Sequence, residues 1–268
     1  MLQLENVGKT YQEDDNFAVL SNVTLSVHDG EFVCVLGPSG CGKTVLLMLL
    51  AGLIMPTSGA LTMNGQPITR PDRSRILMFQ HNVLLPWKTV LSNVLFGMTN
   101  MDMSEKQKLE QALYYIDLVG LSQFKGWYTH KLSGGMQQRA ALARSLAANP
   151  QVLLMDEPFS ALDIDYRRFF RKTLERIWQM RKQTIVLVTH DIEDAVRLAD
   201  TVYILTARPA MIKSVYHIDL ERPRSRRGTQ AADLESFSRR IKHDLAGEFN
   251  KSAGEPELDE QLLTQYQL

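Results

Sequence analysis

The chain has 268 residues, 44% hydrophobic and 22% charged, a balance that suits a packed globular protein and excludes a disordered or collagen-like one. Its 30 Lys plus Arg offset 30 Asp plus Glu, so no net field draws it to nucleic acid or to an acidic membrane surface. The longest apolar stretch, Val45 to Met55 with Gly52 inside it, falls short of the roughly 18 to 20 residues a bilayer span needs, so no crossing of a membrane is expected.

From the N-terminus, where Met-Leu-Gln-Leu-Glu shows no secretory signal pattern, strands are expected at Leu2–Val7, Val23–Val27 and Glu31–Leu36, with a turn at Asp29-Gly30. The third strand runs into Gly37-Pro38-Ser39-Gly40-Cys41-Gly42-Lys43-Thr44, and Val45–Ala51 reads as a buried helix after it. This is the pattern G-x-x-x-x-G-K-[ST] in the strand-loop-helix setting it requires. Backbone N–H groups of such a loop surround phosphates, Lys43 reaches the terminal ones, and Thr44 offers its hydroxyl to Mg²⁺. The two cysteines, Cys34 in the strand and Cys41 in the loop, are poorly placed for a bridge and fit a reducing compartment.

Further strands are expected at Ala60–Met63 and Ile76–Phe79, separated by Asn64-Gly65. From about Leu91 to Asn149 the period becomes helical, with Ser104 an N-cap ahead of Glu105–Val119. Strands and helices then alternate: Val152–Met155, a helix over Asp165–Met180, Thr184–Val188, a helix over Ile192–Leu198, and Val202–Leu205. That order predicts a parallel α/β core with an inserted α-helical portion and an antiparallel β portion near the N-terminus. Val152-Leu-Leu-Met ends on two carboxylates, of which Asp156 can hold Mg²⁺ while Glu157 polarises an attacking water as general base.

Each motif occurs once, so the chain carries one nucleotide-binding unit. Beyond Thr206 lie a basic cluster (Arg222, Arg224, Arg226, Arg227), a helix expected from Ala231 to Phe249, and an acidic tail. Two readings stand for this part, a docked solvated appendage and a regulatory or anion-contacting element.

Leu132-Ser133-Gly134-Gly135-Met136, followed by Gln137-Gln-Arg139, resembles the signature motif of ATP-binding cassette (ABC) transporter ATPase subunits, with Met136 where Gln is more usual. With the phosphate loop and the Asp156-Glu157 strand, the resemblance covers about residues 2 to 220. It implies a P-loop NTPase (RecA-like) core with an N-terminal antiparallel β-subdomain and an inserted helical subdomain. The expected domains are an ATP-binding domain over 1–220, with the helical insertion at about 82–150, and a C-terminal extension over 221–268. The departure at Met136 leaves untouched the phosphate contacts implied for the Ser133 hydroxyl and the Gly134 and Gly135 backbone.

The same resemblance assigns roles to residues that mean little alone. Gln80, after the strand ending at Phe79, matches a glutamine that responds to Mg²⁺ and the γ-phosphate, and His190, after Ile185–Val188, matches a histidine that contacts the γ-phosphate. Ser160-Ala-Leu-Asp163 matches a loop that crosses between subunits, although Asp163 also suits an ordinary helix N-cap. Tyr11 stands where the family stacks a ring on adenine, and Phe17 competes for that role because the loop 12–16 can shift the register. Leu84, Leu85, Pro86 and Trp87 read either as internal packing or as an apolar cleft for a membrane subunit, docked near Gln80–Trp87.

Together these features imply ATP and Mg²⁺ as cofactors and a head-to-tail dimer of two copies. They also imply separate transmembrane permease subunits, an indirect link to a solute-binding protein, no nucleic-acid partner, and a peripheral place on the cytoplasmic face of the inner membrane. The Leu84-Leu-Pro-Trp87 string, Pro158 to Asp163, and the stretch from Arg208-Pro209 to Arg222-Pro223 look like the nitrate, sulfonate and taurine branch of bacterial importers. An exporter ATPase is the alternative, and a non-transport ABC ATPase acting on DNA or ribosomes is a further one.

Overall fold

The computed structural model describes residues 1–11, 17–80, 84–160, 162–224 and 230–252. In chain order the elements are β1 (Leu2–Tyr11), β2 (Phe17–Val27), β3 (Phe32–Leu36), α1 (Lys43–Ala51), β4 (Ser58–Met63), β5 (Gln66–Pro67), β6 (Arg75–Met78), α2 (Val90–Phe96) and α3 (Glu105–Leu118). They continue with α4 (Gly134–Ala147), β7 (Val152–Asp156), α5 (Ile164–Arg181), β8 (Thr184–Thr189), α6 (Ile192–Leu198), β9 (Thr201–Leu205), β10 (Ile212–His217) and α7 (Ala231–Ser252). Contacts divide the chain into two units, residues 1–71 with 182 onward, and residues 72–181.

In the first unit, β1 pairs antiparallel with β2 on one side and β4 on the other, and β4 pairs with β5, as expected for an antiparallel N-terminal portion. Leu2, Leu4 and Val7 face the core, but the period of two breaks at register shifts beyond Leu4, with Asn6 at φ 52° and Asn22 at φ 51°. Asparagine tolerates that left-handed backbone, so the bulged strands run on to Tyr11 and start at Phe17. β3 lies parallel to both β8 and β9, with Cys34 opposite Leu187 and Val202. All five of its residues are buried, which is why Phe32-Val-Cys-Val-Leu36 is continuously apolar. Cys34 and Cys41 are not joined in a disulfide.

β10 adds an antiparallel edge to β9, and its polar, half-exposed residues with a register shift between Ile212 and Ser214 left no alternation to read. α7 buries Leu234, Ile241 and Leu245 at helical spacing. Its Asp244 carboxylate accepts from the Ser214 hydroxyl at 2.6 Å and the Tyr216 hydroxyl at 2.7 Å, fastening the helix to β10.

In the second unit, β6 lies parallel to β7 with Arg75 opposite Val152, and α2, α3 and α4 pack on one another. Ser104 caps α3 in a full capping box with Gln107, so the expected start of this helix is met. α5 buries Phe170, Leu174 and Ile177, and Phe170 meets Phe159 edge to face at 5.4 Å. Among the described residues no helix is long and apolar enough to cross a membrane.

Candidate nucleotide site and docking loop

The phosphate loop joins β3 to α1 in the first unit. α1 begins after Gly42, whose φ of 107° is left-handed and where a Cβ would fall 2.6 Å from Val19 Cγ1, so only glycine fits. No side chain caps this helix end, and its first turn carries no acidic residue, which leaves N–H groups and the positive end of the helix dipole open to an anion. Lys43, 6% exposed, donates from Nζ to the carbonyls of Gly37 at 3.1 Å and Pro38 at 2.9 Å. Among the described residues it has no carboxylate partner. A buried ammonium held only by carbonyl dipoles has the chemistry to take a phosphate.

Thr44 is buried in the first turn of α1, and Gly37 to Cys41 form the loop before it. Burial, then the charges of Asp194 and Asp191, push the Cys34 thiol well up, so this cysteine is a packing residue and not a nucleophile. His190 is exposed immediately after β8 and one residue before the N-cap of α6. Tyr11 and Phe17 are direct partners across β1 and β2; the Lys9 ammonium lies 4.9 Å from the Tyr11 ring centre and the Arg208 guanidinium 4.0 Å from that of Phe17. Cations already cover a face of each ring.

In the second unit, the buried strand β7 carries Asp156, 4% exposed, at its end. The next residue, Glu157, has φ 42°, an uncommon backbone for a glutamate and one that concentrates at functional sites. Its carbonyl is fixed by the Ser160 hydroxyl at 2.9 Å and the Ser160 N–H at 3.2 Å. Asp163 accepts from the Tyr166 N–H at 3.0 Å, which is the N-cap role allowed above, and Ala161 lies outside the described residues. Gln80 is half-buried in the bend after β6.

Ser133 caps α4, its hydroxyl accepting from the Met136 N–H at 3.4 Å. Gly134 and Gly135 therefore form the first turn of a helix. A Cβ on Gly135 would press Leu162 Cδ2 at 3.1 Å, whereas one on Gly134 would meet nothing within 4 Å. Gly134 sits in ordinary helix, and its own chain makes no steric demand for a glycine there.

The apolar segment after Gln80 is split. Leu84 is buried, as in the packing reading, while Trp87 stands 69% exposed; residues 81–83 lie outside the described residues. Asn93, fully buried on α2, holds the loop: its Oδ1 accepts from the Leu85 N–H at 2.9 Å, and its Nδ2 donates to the carbonyls of Leu85 (3.1 Å), Lys88 (3.3 Å) and Thr89 (3.0 Å). Thr129 Oγ1 also donates to the Leu85 carbonyl at 3.1 Å, and His130 Nδ1 lies 2.9 Å from the Pro86 carbonyl. The loop that presents Trp87 is thus tied to the strip preceding the Ser133 cap, where Gln137 Nε2 donates to the Thr129 carbonyl at 3.1 Å. Asn93 escaped the sequence reading, although a polar residue between Val90 and Val94 on one helical face was a usable signal.

Of the basic cluster, Arg222 and Arg224 are consumed inside the chain: Arg222 pairs with Asp200 at 2.6 Å, and Arg224, 4% exposed, donates to backbone carbonyls. Neither is presented to an external anion, and Arg226 and Arg227 lie outside the described residues.

The chain is also similar to known proteins. The model of the family described as ABC transporter matches residues 20–160. An uncharacterized ABC transporter ATP-binding protein of Methanocaldococcus jannaschii is 44% identical over 94% of this chain and 93% of its own. A nitrate import ATP-binding protein of Synechocystis is 47% identical over 77% of this chain and 79% of its own, and a taurine import ATP-binding protein of Yersinia pestis is 42% identical over 77% and 81%. A dimeric bacterial ABC transporter cassette shares the fold with a TM-score of 0.74 at 31% identity, over 82% of this chain and 100% of that one. A dimeric cassette in a post-hydrolysis state with ADP and Pi has a TM-score of 0.72, again at 31% identity and over 82% and 100% of the two chains.

Proposed function

This chain belongs to the ABC transporter family, and from that premise we propose that it is the ATP-hydrolysing subunit of an importer that drives a small solute of the nitrate, sulfonate or taurine kind through separate permease subunits. The observation that carries the nucleotide chemistry is the buried Lys43 ammonium without a carboxylate partner among the described residues, set at an uncapped helix N-terminus.

In this reading the backbone of Gly37 to Gly42 and the Lys43 ammonium bind the phosphates, and Tyr11 stacks on adenine. Thr44, Gln80 and Asp156 supply the hard oxygen donors that Mg²⁺ takes, and the ion when bound offsets charge on the phosphate oxygens. Glu157 accepts the proton of the attacking water while His190 orients on the γ-phosphate. Ser133, Gly134 and Gly135 close over the ATP of a second copy in a head-to-tail pair, with Asp163 at the crossing. That assignment accounts for a glycine at 134 which its own fold does not require. ATP favours the closed pair by its differential affinity, and hydrolysis releases it.

In this reading the exposed Trp87, on a loop held by Asn93, is the docking point for a permease segment; the subunit lies peripherally on the cytoplasmic face of the membrane, with an indirect link to a solute-binding protein. Calorimetry with Mg-ATP tests the core of the proposal: Lys43→Ala should lower ATP affinity at least tenfold, the scale of one lost charge-assisted contact. Unchanged affinity would remove the phosphate-loop assignment. Solute uptake by vesicles carrying the permease pair, with ATP on the subunit's side, tests direction; ATP-driven efflux would replace the importer reading by the exporter one.

A further inference from the structure

α6 has seven residues, too few to hold itself as a helix, so it depends on the packing of its buried Ala195, Val196 and Leu198 and on the groups that satisfy its ends. At the N-terminus the Asp191 carboxylate accepts from the N–H groups of Glu193 at 2.7 Å and Asp194 at 3.1 Å. The other end is closed by two arginines from beyond β10. Arg224 Nη1 donates to the carbonyls of Val196, at 3.0 Å, and Ala199, while Arg222 Nη2 donates to that of Leu198. Cations at this end also face the negative pole of the helix dipole.

The clamp is anchored on both sides. Arg224 also holds the carbonyls of Ile218 at 2.7 Å and Leu220 at 3.0 Å, fixing the segment it comes from. Arg222 pairs with one oxygen of Asp200, whose other oxygen accepts from the Phe32 N–H of β3 at 2.9 Å. The C-terminal end of α6 is therefore referenced to β3.

His190 lies between fixed points. Thr189 ends β8 and is held in register with Leu36, while α6 begins at Ile192, so His190 and Asp191 alone connect strand to helix. The Thr189 hydroxyl accepts from the Asp191 N–H at 3.1 Å, which shortens the free span further. A slide of α6 along its axis has to be absorbed at His190 and Asp191.

We propose that Arg222 and Arg224 are positioning residues for ATP hydrolysis, capping α6 so that His190 is presented in one place. This rests on the reading of His190 as the γ-phosphate contact, and it makes the segment just after residue 220 part of the working ATPase.

The test uses the full-length chain, in single-turnover hydrolysis at saturating Mg-ATP, with Arg224→Lys, Arg222→Gln, His190→Ala and the double variant His190→Ala/Arg224→Lys. Lysine keeps the charge but cannot span the several carbonyls that the guanidinium fork reaches. Arg224→Lys should lower the rate about tenfold, the factor that one lost charge-assisted hydrogen bond sets in a conformational equilibrium, and leave ATP affinity within about twofold. The double variant should be no slower than His190→Ala alone, and amides of Ala195 to Ala199 should exchange faster while those of β3 do not.

Full-rate hydrolysis by Arg224→Lys with faster α6 exchange would overturn the proposal. So would rate losses that multiply in the double variant, since Arg224 would then act elsewhere. Normal turnover by His190→Ala would sink the reading of His190 itself, a result distinct from either. If Arg224→Lys does not fold, Arg222→Gln carries the same comparisons from the outer edge of the clamp.

Discussion

Truncating Asn93 to alanine isolates the contribution of the scaffold inside the loop over residues 85–89. Four hydrogen bonds vanish, but they are not equal. The Leu85 carbonyl keeps the Thr129 hydroxyl, the Lys88 carbonyl keeps the Thr129 N–H at 3.3 Å, and the Thr89 carbonyl keeps the backbone N–H of residue 93 at 2.9 Å. The Leu85 N–H loses its described partner outright. One orphaned donor costs about 1 to 3 kcal/mol and the remaining bonds a fraction of their net value of about 1 kcal/mol each, so a loss near 3 kcal/mol is expected. Urea unfolding should show that loss with an unchanged slope, and exchange at the Leu85 amide should accelerate about a hundredfold or more. ATP affinity should stay as it was. A stability change below about 1 kcal/mol, with Leu85 still protected, would show that the amide does not organise this loop.

Glu157→Gln should keep ATP binding, halt turnover and accumulate an ATP-trapped dimer, visible by size exclusion with Mg-ATP; near-normal hydrolysis would remove Glu157 from the base role. Tyr11→Phe should preserve ATP affinity and Tyr11→Ala should reduce it by roughly the 1 to 3 kcal/mol of a stacked base, whereas a loss confined to Phe17→Ala would transfer the role to the other ring. Hydrogen bonds from Ser214 and then Tyr216 hold the Asp244 carboxyl below its ordinary 3.8. A depressed carboxylate stabilises above its unfolded pKa, so the fastening of α7 should be complete above about pH 5 and fade as pH falls through and below 3.8. Asp244→Asn should flatten that acid limb in thermal melts, and an unaltered limb would assign it to other groups.

What could be read in advance was local and repetitive. Ser104 announced the start of α3 as its N-cap, and the helix expected over Ile192–Leu198 coincides with α6. The turn between β3 and α1 and the strand ending at Asp156 were legible because their residues are contiguous in the chain. Bonds between distant segments left no such trace. Arg222 and Arg224 looked like a solvated charge cluster because the carbonyls that neutralise them lie up to 28 positions away in the chain. β10 was missed since an edge strand with a register shift needs neither apolar alternation nor β-branched density, and the ends of β1 and β2 were trimmed by bulges.

The open space around Gly134 separates two kinds of selection. Alanine in a first helical turn is a better helix former than glycine by up to about 1 kcal/mol, and here it would displace nothing within its own chain. A library scored on folding or abundance would rank Gly134 as freely replaceable, even improvable, while one scored on transport would rank it among the least tolerant positions if it closes over a partner's ATP as proposed. A copy carrying such a change would accumulate as a sound protein and still occupy half of every mixed pair. On the proposed head-to-tail pairing it would spoil one of the two sites formed with a wild-type partner, so a mixed population would show how far one intact site sustains transport.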